Sequence, residues 1–235
     1  MKASLHLRTL AAPAGDGARR VGSSLRSMPS RAENEQRWQA LEHGLEPSDF
    51  ATRVRFLLGD VAAGERVLDV GCGEGRFAAE LAGAGAEVVG IDVAEEPLRR
   101  ARELHPQLDL RVVDGEGAWD IPDASFDVVW AGEVIEHVAD TAAWLSEVRR
   151  VLRSGGRLLL STPAHGRLSM LRLALSRRAL AEHFDPRGDH LRFYTRDSLR
   201  ELLEDFRFQE VEIRRRAGLP GARRLLLARA VRSRF

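Results

Sequence analysis

Apolar residues along this chain gather in short runs, and the runs alternate with stretches of helical spacing. "RVLDV" (66–70), "EVVGID" (87–92), "LDLRVVD" (108–114), "FDVVWA" (126–131) and "RLLLSTP" (157–163) have strand length and strand composition. Helical patterns lie between them at "RFAAELAGAG" (76–85), "EEPLRRARELH" (95–105) and "DTAAWLSEVRRVL" (140–152). Gly83 and Gly85 suit the end of the first helix. The second has acids at its start and bases later, which suits the helix dipole. "SGG" (154–156) stops the third. A further helix is predicted from Ser48 or Asp49 to Leu58, and another over "TRDSLRELLEDF" (195–206), where Thr195 and Ser198 offer cap oxygens. "FQEVEIRR" (208–215) and "RRLLLARAV" (223–231) read as strands around the loop "AGLPG" (217–221). With no helix between them they are predicted to be antiparallel neighbours. The alternation as a whole predicts an α/β fold: a mostly parallel sheet with helices on both faces.

Composition narrows this. At 235 residues and 44% hydrophobic the chain suits one decorated domain, or two small ones. Its formal net charge of +1 gives no global attraction to nucleic acid or anionic membrane. The positive charge is nearly all Arg, with Lys2 the only lysine, which reads as coding bias before it reads as phosphate binding. The single cysteine, Cys72, excludes an internal disulfide and suits a reducing, cytoplasmic setting. No apolar run reaches the length of a membrane span. Residues 1–30 are rich in Arg, Ala, Gly and Ser, with Asp16 the only acid, and are expected to be disordered. They read as a leader, or as chain upstream of a true start at Met28. Residues 31–235 are then the folded domain.

The chemistry starts at "VLDVGCGEGRFA" (67–78). Gly71, Gly73 and Gly75 follow the first strand, where a side-chain-free turn lets a ligand approach the backbone. The spacing is not that of a dinucleotide fold, which needs G-x-G-x-x-G/A; here Arg76 stands in the last place. Asp69, two residues before the first glycine, would repel a pyrophosphate and attract an ammonium or sulfonium. Asp92 ends the second strand, where an acid accepts ribose hydroxyls. Asp114 ends the third and is placed to accept from an adenine amino group. Ammonium, ribose and adenine without pyrophosphate describe S-adenosylmethionine (SAM).

With these pieces in order, the chain resembles the class I SAM-dependent methyltransferases, in the ubiquinone-biosynthesis and methyltransferase-11-like branch. The resemblance also rests on "IPDASFDVVWAGEVIEHVAD", "VLRSGGRLLLSTP" and "FYTRDSLRELLEDFRFQEVEI" and runs from about residue 47 to the C-terminus. It implies a Rossmann-like seven-stranded sheet with an antiparallel last strand. It implies that Asp69, Gly71 and Gly73 contact the methionine part and Asp92 the ribose. Asp114, Gly115 and Glu116 would flank the adenine, and Gly132 would line the methyl-donor pocket. Gly75 completes the turn, and Arg53 is a looser match for the cofactor carboxylate. Cys72 reads as a small buried residue rather than a nucleophile.

The acceptor side is less defined. In "GEVIEHV" (132–138), Glu133, Glu136 and His137 would share a face if the segment were helical, a plausible divalent-metal site. Ubiquinone-type O-methyltransferases and small-RNA 3′-end 2′-O-methyltransferases carry a similar E-x-x-E-H and use a divalent ion, Mg or Mn. The RNA enzymes add a downstream histidine, for which His190 in "DHLRFYTR" (189–196) is the counterpart, shifted by one residue. The candidate metal set is therefore Glu133, Glu136, His137 and His190, and the candidate catalytic set is His137, His190 and Glu133. Without a metal, His137 or His190 would serve as general base. The insertion at 164–190 contains "RLSMLRLALSRRAL", a basic amphipathic helix with Leu168, Leu171, Leu175 and Leu180 on one side. It reads as a lid, as a contact with a membrane surface or lipid-linked acceptor, or as a helix packed on the domain. The expectation is methylation of oxygen on a small-molecule, glycan or quinone-like acceptor. The alternatives are RNA 3′-end 2′-O-methylation, weakened by the absence of a strong basic face, and a non-catalytic SAM-binding protein. The C-terminal arginines read as a solvated strand face.

Overall fold

The computed structural model describes residues 31–44, 46–115, 118–185, 188–218 and 224–234. The expected disorder of residues 1–30 and the adenine role of Glu116 lie outside the described residues. The element order is α1 (Arg31–Ala40), α2 (Phe50–Leu58), β1 (Arg66–Val70), α3 (Arg76–Gly83), β2 (Glu87–Asp92), α4 (Glu95–Leu104), β3 (Asp109–Val112) and β4 (Phe126–Gly132). There follow a short 3₁₀ turn (Ile135–His137), α5 (Thr141–Val151), β5 (Leu152–Pro163), α6 (Arg167–Ala174), α7 (Arg177–His183), α8 (Arg196–Asp205), β6 (Phe208–Arg216) and β7 (Leu225–Arg232).

The seven strands form one sheet in the order β3-β2-β1-β4-β5-β7-β6. Pairings from β3 to β5 are parallel, and β7 runs antiparallel to both neighbours. The last two strands are thus antiparallel neighbours, as the missing helix predicts, but β7 inserts between β5 and β6 instead of lying at the edge. Strand order reverses between β1 and β4, and a ligand crevice opens at such a switch point, beyond the carboxyl ends of the strands.

Alternation along each strand divides the core between two faces. Val67, Val128, Trp130 and Leu159 pack on Leu57 of α2 and on Phe77 and Leu81 of α3. Their neighbours Leu68, Val129, Leu158 and Leu160 pack on the opposite face, against Leu145 and Val148 of α5 and Leu199 and Leu203 of α8. Each of these large side chains, fully buried, contributes about 1.5–3 kcal/mol.

Four elements differ from the sequence reading. Helix α1 carries little apolar pattern beyond Trp38 and was not anticipated. β5 begins at Leu152, not at 157. The "SGG" segment does end α5, but it becomes a bulge within the strand: Gly155 has φ +78°, and a Cβ on Gly156 would lie 2.9 Å from the Arg153 carbonyl oxygen. β3 stops at Val112, so Asp114 lies beyond the strand end. The single amphipathic helix over 167–180 is two helices, α6 and α7, with Ser176 capping the second through the Ala179 amide at 3.2 Å. Neither buries any residue, so the helix is not packed on the domain by its leucines, and Leu175 is 80% exposed. Several C-terminal arginines are engaged within the fold: Arg229 pairs with Asp60, Arg224 with Asp49 and Arg214 with Glu212. Among the described residues no helix is long and apolar enough to cross a membrane.

Candidate functional site

The turn after β1 is built by backbone constraints. The Gly71 and Cys72 amides donate to the Ile91 carbonyl oxygen at 2.8 and 3.0 Å, which ties the turn to β2. Gly71 has φ +68°, and an added Cβ would stand 2.6 Å from Val134, so only glycine fits. At Gly73 an added Cβ would meet the Trp38 indole at 3.0 Å, so α1 lies directly over the turn. Gly75 faces Leu108, Ala101 and His105 instead, so its bareness serves the packing of α4. Cys72 is buried, and burial pushes its thiol well above the usual range, which keeps it protonated and unreactive.

Asp92 is buried at the end of β2 and pins the turn, accepting from the Gly73 amide at 3.0 Å and the Ala94 amide at 3.0 Å. Burial raises its pKa, and those amides oppose the rise. Asp69 is only 1% exposed, and its Oδ2 has no hydrogen-bond partner. Burial, and then the Asp92 charge, push its pKa up to about 8.

Two cavities meet over this turn. The first, of about 330 Å³, is bounded by Asp92, Val93, Val113, Gly115 and Trp119 at one end and by Glu133 and His137 at the other. Asp114 is exposed and is not part of its wall; its neighbours Val113 and Gly115 are. The second, of about 390 Å³, is lined by Ser48, Arg53, Gly73, Arg76, Trp130 and Gly132, among others. Three buried donors of this wall lack a partner: Arg53 Nε, Arg76 Nε and Trp130 Nε1. Arg53 is also anchored to Ser48, through its carbonyl oxygen and, at 2.9 Å, its hydroxyl. Burial pulls the Arg53 pKa down, and Glu133, Asp49 and Glu136 push it back. Gly132 must be bare because a Cβ would lie 2.7 Å from the Trp130 ring.

At the acceptor end the 132–138 segment is not an α-helix, so its residues come together differently from the sequence reading. Glu133 has φ +59° and turns its carboxylate to Ser161, whose hydroxyl donates at 3.0 Å. Glu136 is buried, and Thr162 donates to its Oε2 at 2.9 Å while Oε1 has no partner. Burial, then the Glu133 charge, push the Glu136 pKa up to about 8. The Leu191 and Arg192 amides donate to the Glu136 carbonyl oxygen at 2.8 and 3.0 Å, which brings His190 against His137 with ring centroids 4.9 Å apart. His137 Nδ1 lies 2.9 Å from the Asp189 carbonyl oxygen; a carbonyl only accepts, so Nδ1 carries the proton and Nε2 is bare. Burial lowers the His137 pKa against the pull of Asp189 and so favours the neutral ring.

Donor atoms of Glu136, His137 and His190 lie within 4.8 Å of one another, a set that could hold a divalent cation. Glu133, the fourth member of the predicted set, is not in this cluster. The sequence reading missed the residues of α1. Asn34, Arg37 and Trp38 line the first cavity, and Arg37 pairs with Asp189. A lone tryptophan in an otherwise polar helix was the available signal. It also missed Trp130, which lies inside the apolar run of the fourth strand.

Comparison with known proteins gives the family and the fold. The profile of a family described as "Methyltransferase domain" matches residues 41–213. The chain is 38% identical over 149 residues to "Ubiquinone biosynthesis O-methyltransferase" of Ruegeria sp. (strain TM1040), covering 60% of this chain and 59% of that protein. It spans about half the length of the curated relatives it matches. Among solved structures, a SAM-dependent methyltransferase from Mesorhizobium loti superposes with TM-score 0.62 at 22% identity, covering 79% of this chain and 98% of that one. Haemonchus contortus phosphoethanolamine N-methyltransferase 2, solved in complex with SAM, superposes with TM-score 0.61 at 17% identity, covering 87% of this chain and 57% of that one. These two likenesses show the fold.

Proposed function

The chain belongs to the SAM-dependent methyltransferase family, and on that premise we propose that it methylates a hydroxyl oxygen of an amphiphilic, quinone-like small molecule. The observation that carries the cofactor reading is the wall of the second cavity. Its unpartnered donors on Arg53, Arg76 and Trp130 suit a carboxylate. The Glu133 carboxylate on the same wall suits an ammonium, and beneath the turn Asp69 holds an unpartnered carboxyl oxygen. A cavity with both signs fits a zwitterionic amino acid end.

The remaining roles follow in order. Asp92 accepts the ribose hydroxyls with the lone pairs its two amide bonds leave free. Val93, Val113, Gly115 and Trp119 enclose the adenine. Gly71, Gly73 and Gly132 leave room for the chain between them. SAM supplies an electrophilic methyl group when bound. Without a metal, the bare Nε2 of His137 at the acceptor end takes the hydroxyl proton, with the Asp189 carbonyl fixing the ring. Glu136, His137 and His190 would hold a divalent ion, which lowers the pKa of a bound hydroxyl. The unpartnered Glu136 Oε1 fits that role.

The acceptor class is supported by the name of the relative, a ubiquinone biosynthesis O-methyltransferase. It is also supported by the exposed Leu171, Leu175 and Phe184 beside Arg172 and Arg177 on the 164–190 insertion, a surface suited to an apolar tail or a lipid interface. We take residues 31–235 as one catalytic domain acting in the cytoplasm, a reading supported by the continuous sheet and by the single cysteine, which suits a reducing compartment. Isothermal titration tests the cofactor reading: wild type binds SAM and Asp92→Ala does not. No detectable binding by wild type would sink it.

A further inference from the structure

Two cavities meet in the cleft, and three residues line both: Trp38, Gly71 and Glu133. If the first receives the adenosyl part and the second the amino acid part, as proposed above, the atom between those parts lies at this junction. In SAM that atom is the sulfonium. Gly71 brings no side chain there, so the wall consists of an indole and a carboxylate. Both favour a cation: an indole through its quadrupole and a carboxylate through its charge.

Trp38 is held in place from several directions. Arg100 is 3% exposed and donates to the Trp38 carbonyl oxygen at 2.8 Å and to that of Leu41 at 3.2 Å. Glu74 accepts from the Gly44 amide at 2.9 Å, and Arg76 reaches the Gly44 carbonyl oxygen. Glu35, one turn before Trp38 on α1, accepts from the Glu95 and Glu96 amides at 2.9 and 3.2 Å. Arg37 pairs with Asp189. Helix α1 is therefore a clasp over the turn, fastened to α4, to the turn itself and to the acceptor-side segment.

We propose that Trp38, with Glu133, is a charge-sensing wall that distinguishes the methylated, cationic cofactor from its neutral product and so favours product release. The inference rests on the SAM reading above. In the transfer, the sulfur–methyl bond breaks with its electron pair left on sulfur. An oxygen–methyl bond forms, and the hydroxyl proton leaves to the base. Sulfur thus changes from sulfonium to thioether, and the junction loses the charge that its indole and carboxylate attract. The clasp keeps its remaining contacts but loses its grip on the cofactor. A merely structural Trp38 would contact both forms equally.

The test compares three ligands by calorimetry on wild type, Trp38→Leu and Trp38→Phe: SAM, S-adenosylhomocysteine, and sinefungin, whose protonated amine stands where the sulfonium's methyl group does. Wild type should bind SAM and sinefungin more tightly than S-adenosylhomocysteine. Trp38→Leu should weaken the two cations by roughly two- to thirty-fold more than the neutral product, the span of one cation–aromatic contact. Trp38→Phe should retain most of the preference, which separates ring chemistry from loss of fold. Equal weakening of all three ligands in Trp38→Leu would overturn the charge-sensing role and leave the SAM reading intact. If wild type bound none of the three, the SAM reading would fail and this inference with it.

Discussion

Replacing Asp69 with Asn should make the cofactor-free protein more stable and its cofactor binding worse. Asp69 is only 1% exposed, with one carboxylate oxygen unpartnered. Its pKa rises from the ordinary 3.8 to about 8, through burial first and Asp92 second. Below about pH 4 the group is neutral both folded and unfolded, so it costs nothing. Between about pH 4 and 8 the unfolded chain has released the proton and the folded chain has not, so stability falls steadily as pH rises. Each pKa unit corresponds to about 1.4 kcal/mol, which makes the full cost about 5–6 kcal/mol above the folded pKa. Asn has nearly the same shape and carries no charge. It keeps an acceptor for the Ala78 amide, which opposes the rise in the native carboxyl. It also introduces a buried N–H with no partner, at a cost of about 1–3 kcal/mol. The net gain is about 2–5 kcal/mol near pH 8.5, or a rise in Tm of roughly 4–20 °C for a chain of this size. Near pH 4 the gain should vanish or reverse. Scanning calorimetry of both proteins at the two pH values reads this directly, and titration with SAM should show weaker binding by the variant. A pH-independent difference, or a variant less stable than wild type near pH 8.5, would refute the argument.

Other substitutions probe other parts. Gly71→Ala forces a side chain to φ +68° and to 2.6 Å from Val134. It should cost about 1–3 kcal/mol in urea unfolding and abolish SAM binding. Asp92→Ala removes the acceptor for the Gly73 and Ala94 amides as well as the ribose contact. SAM affinity should fall by at least about a hundredfold, from two lost charge-assisted bonds of about 1.5–3 kcal/mol each. His190→Ala takes one donor from the Glu136–His137–His190 cluster. Mn²⁺ binding followed by electron paramagnetic resonance should weaken by about ten- to a hundredfold, a typical loss for a disturbed metal site, while SAM affinity is unchanged. Leu175→Glu alters a side chain that is 80% exposed. Stability should stay within about 0.5 kcal/mol, while turnover of a long-tailed acceptor drops relative to a short-tailed one.

The sheet was readable because its strands are buried on both faces and the helices beside it are amphipathic, so period and burial agree from Arg66 to Leu160 and again from Leu199 to Phe208, but not in α6 and α7, which bury nothing. The turn was readable because Gly71 and Gly73 answer a backbone requirement that composition exposes. The acceptor end was not. Glu133 was placed with Glu136 and His137 on an assumed helix, whereas its positive φ and the Ser161 hydroxyl turn it aside. His190 reaches His137 through amide bonds from Leu191 and Arg192 to the Glu136 carbonyl, which no side-chain pattern encodes. Helix α1 escaped for a related reason. It is tied down by Glu35, Arg37 and the distant Arg100, not by an apolar face. Asp114 was chosen as the last residue of the predicted third strand, but β3 stops at Val112 and the neighbours Val113 and Gly115 form the cavity wall.

The central claim is methyl transfer from SAM to a hydroxyl oxygen. The direct measurement incubates the protein with trideuteromethyl-labelled SAM, Mg²⁺ or Mn²⁺ and an alkylated catechol, and analyses acceptor and cofactor by mass spectrometry. The account predicts a labelled methyl ether and an equal amount of S-adenosylhomocysteine, both lost in Asp92→Ala and strongly reduced in His137→Ala. Tight SAM binding with no labelled product from catechol or hydroquinone acceptors, or label found on nitrogen or carbon, would contradict it.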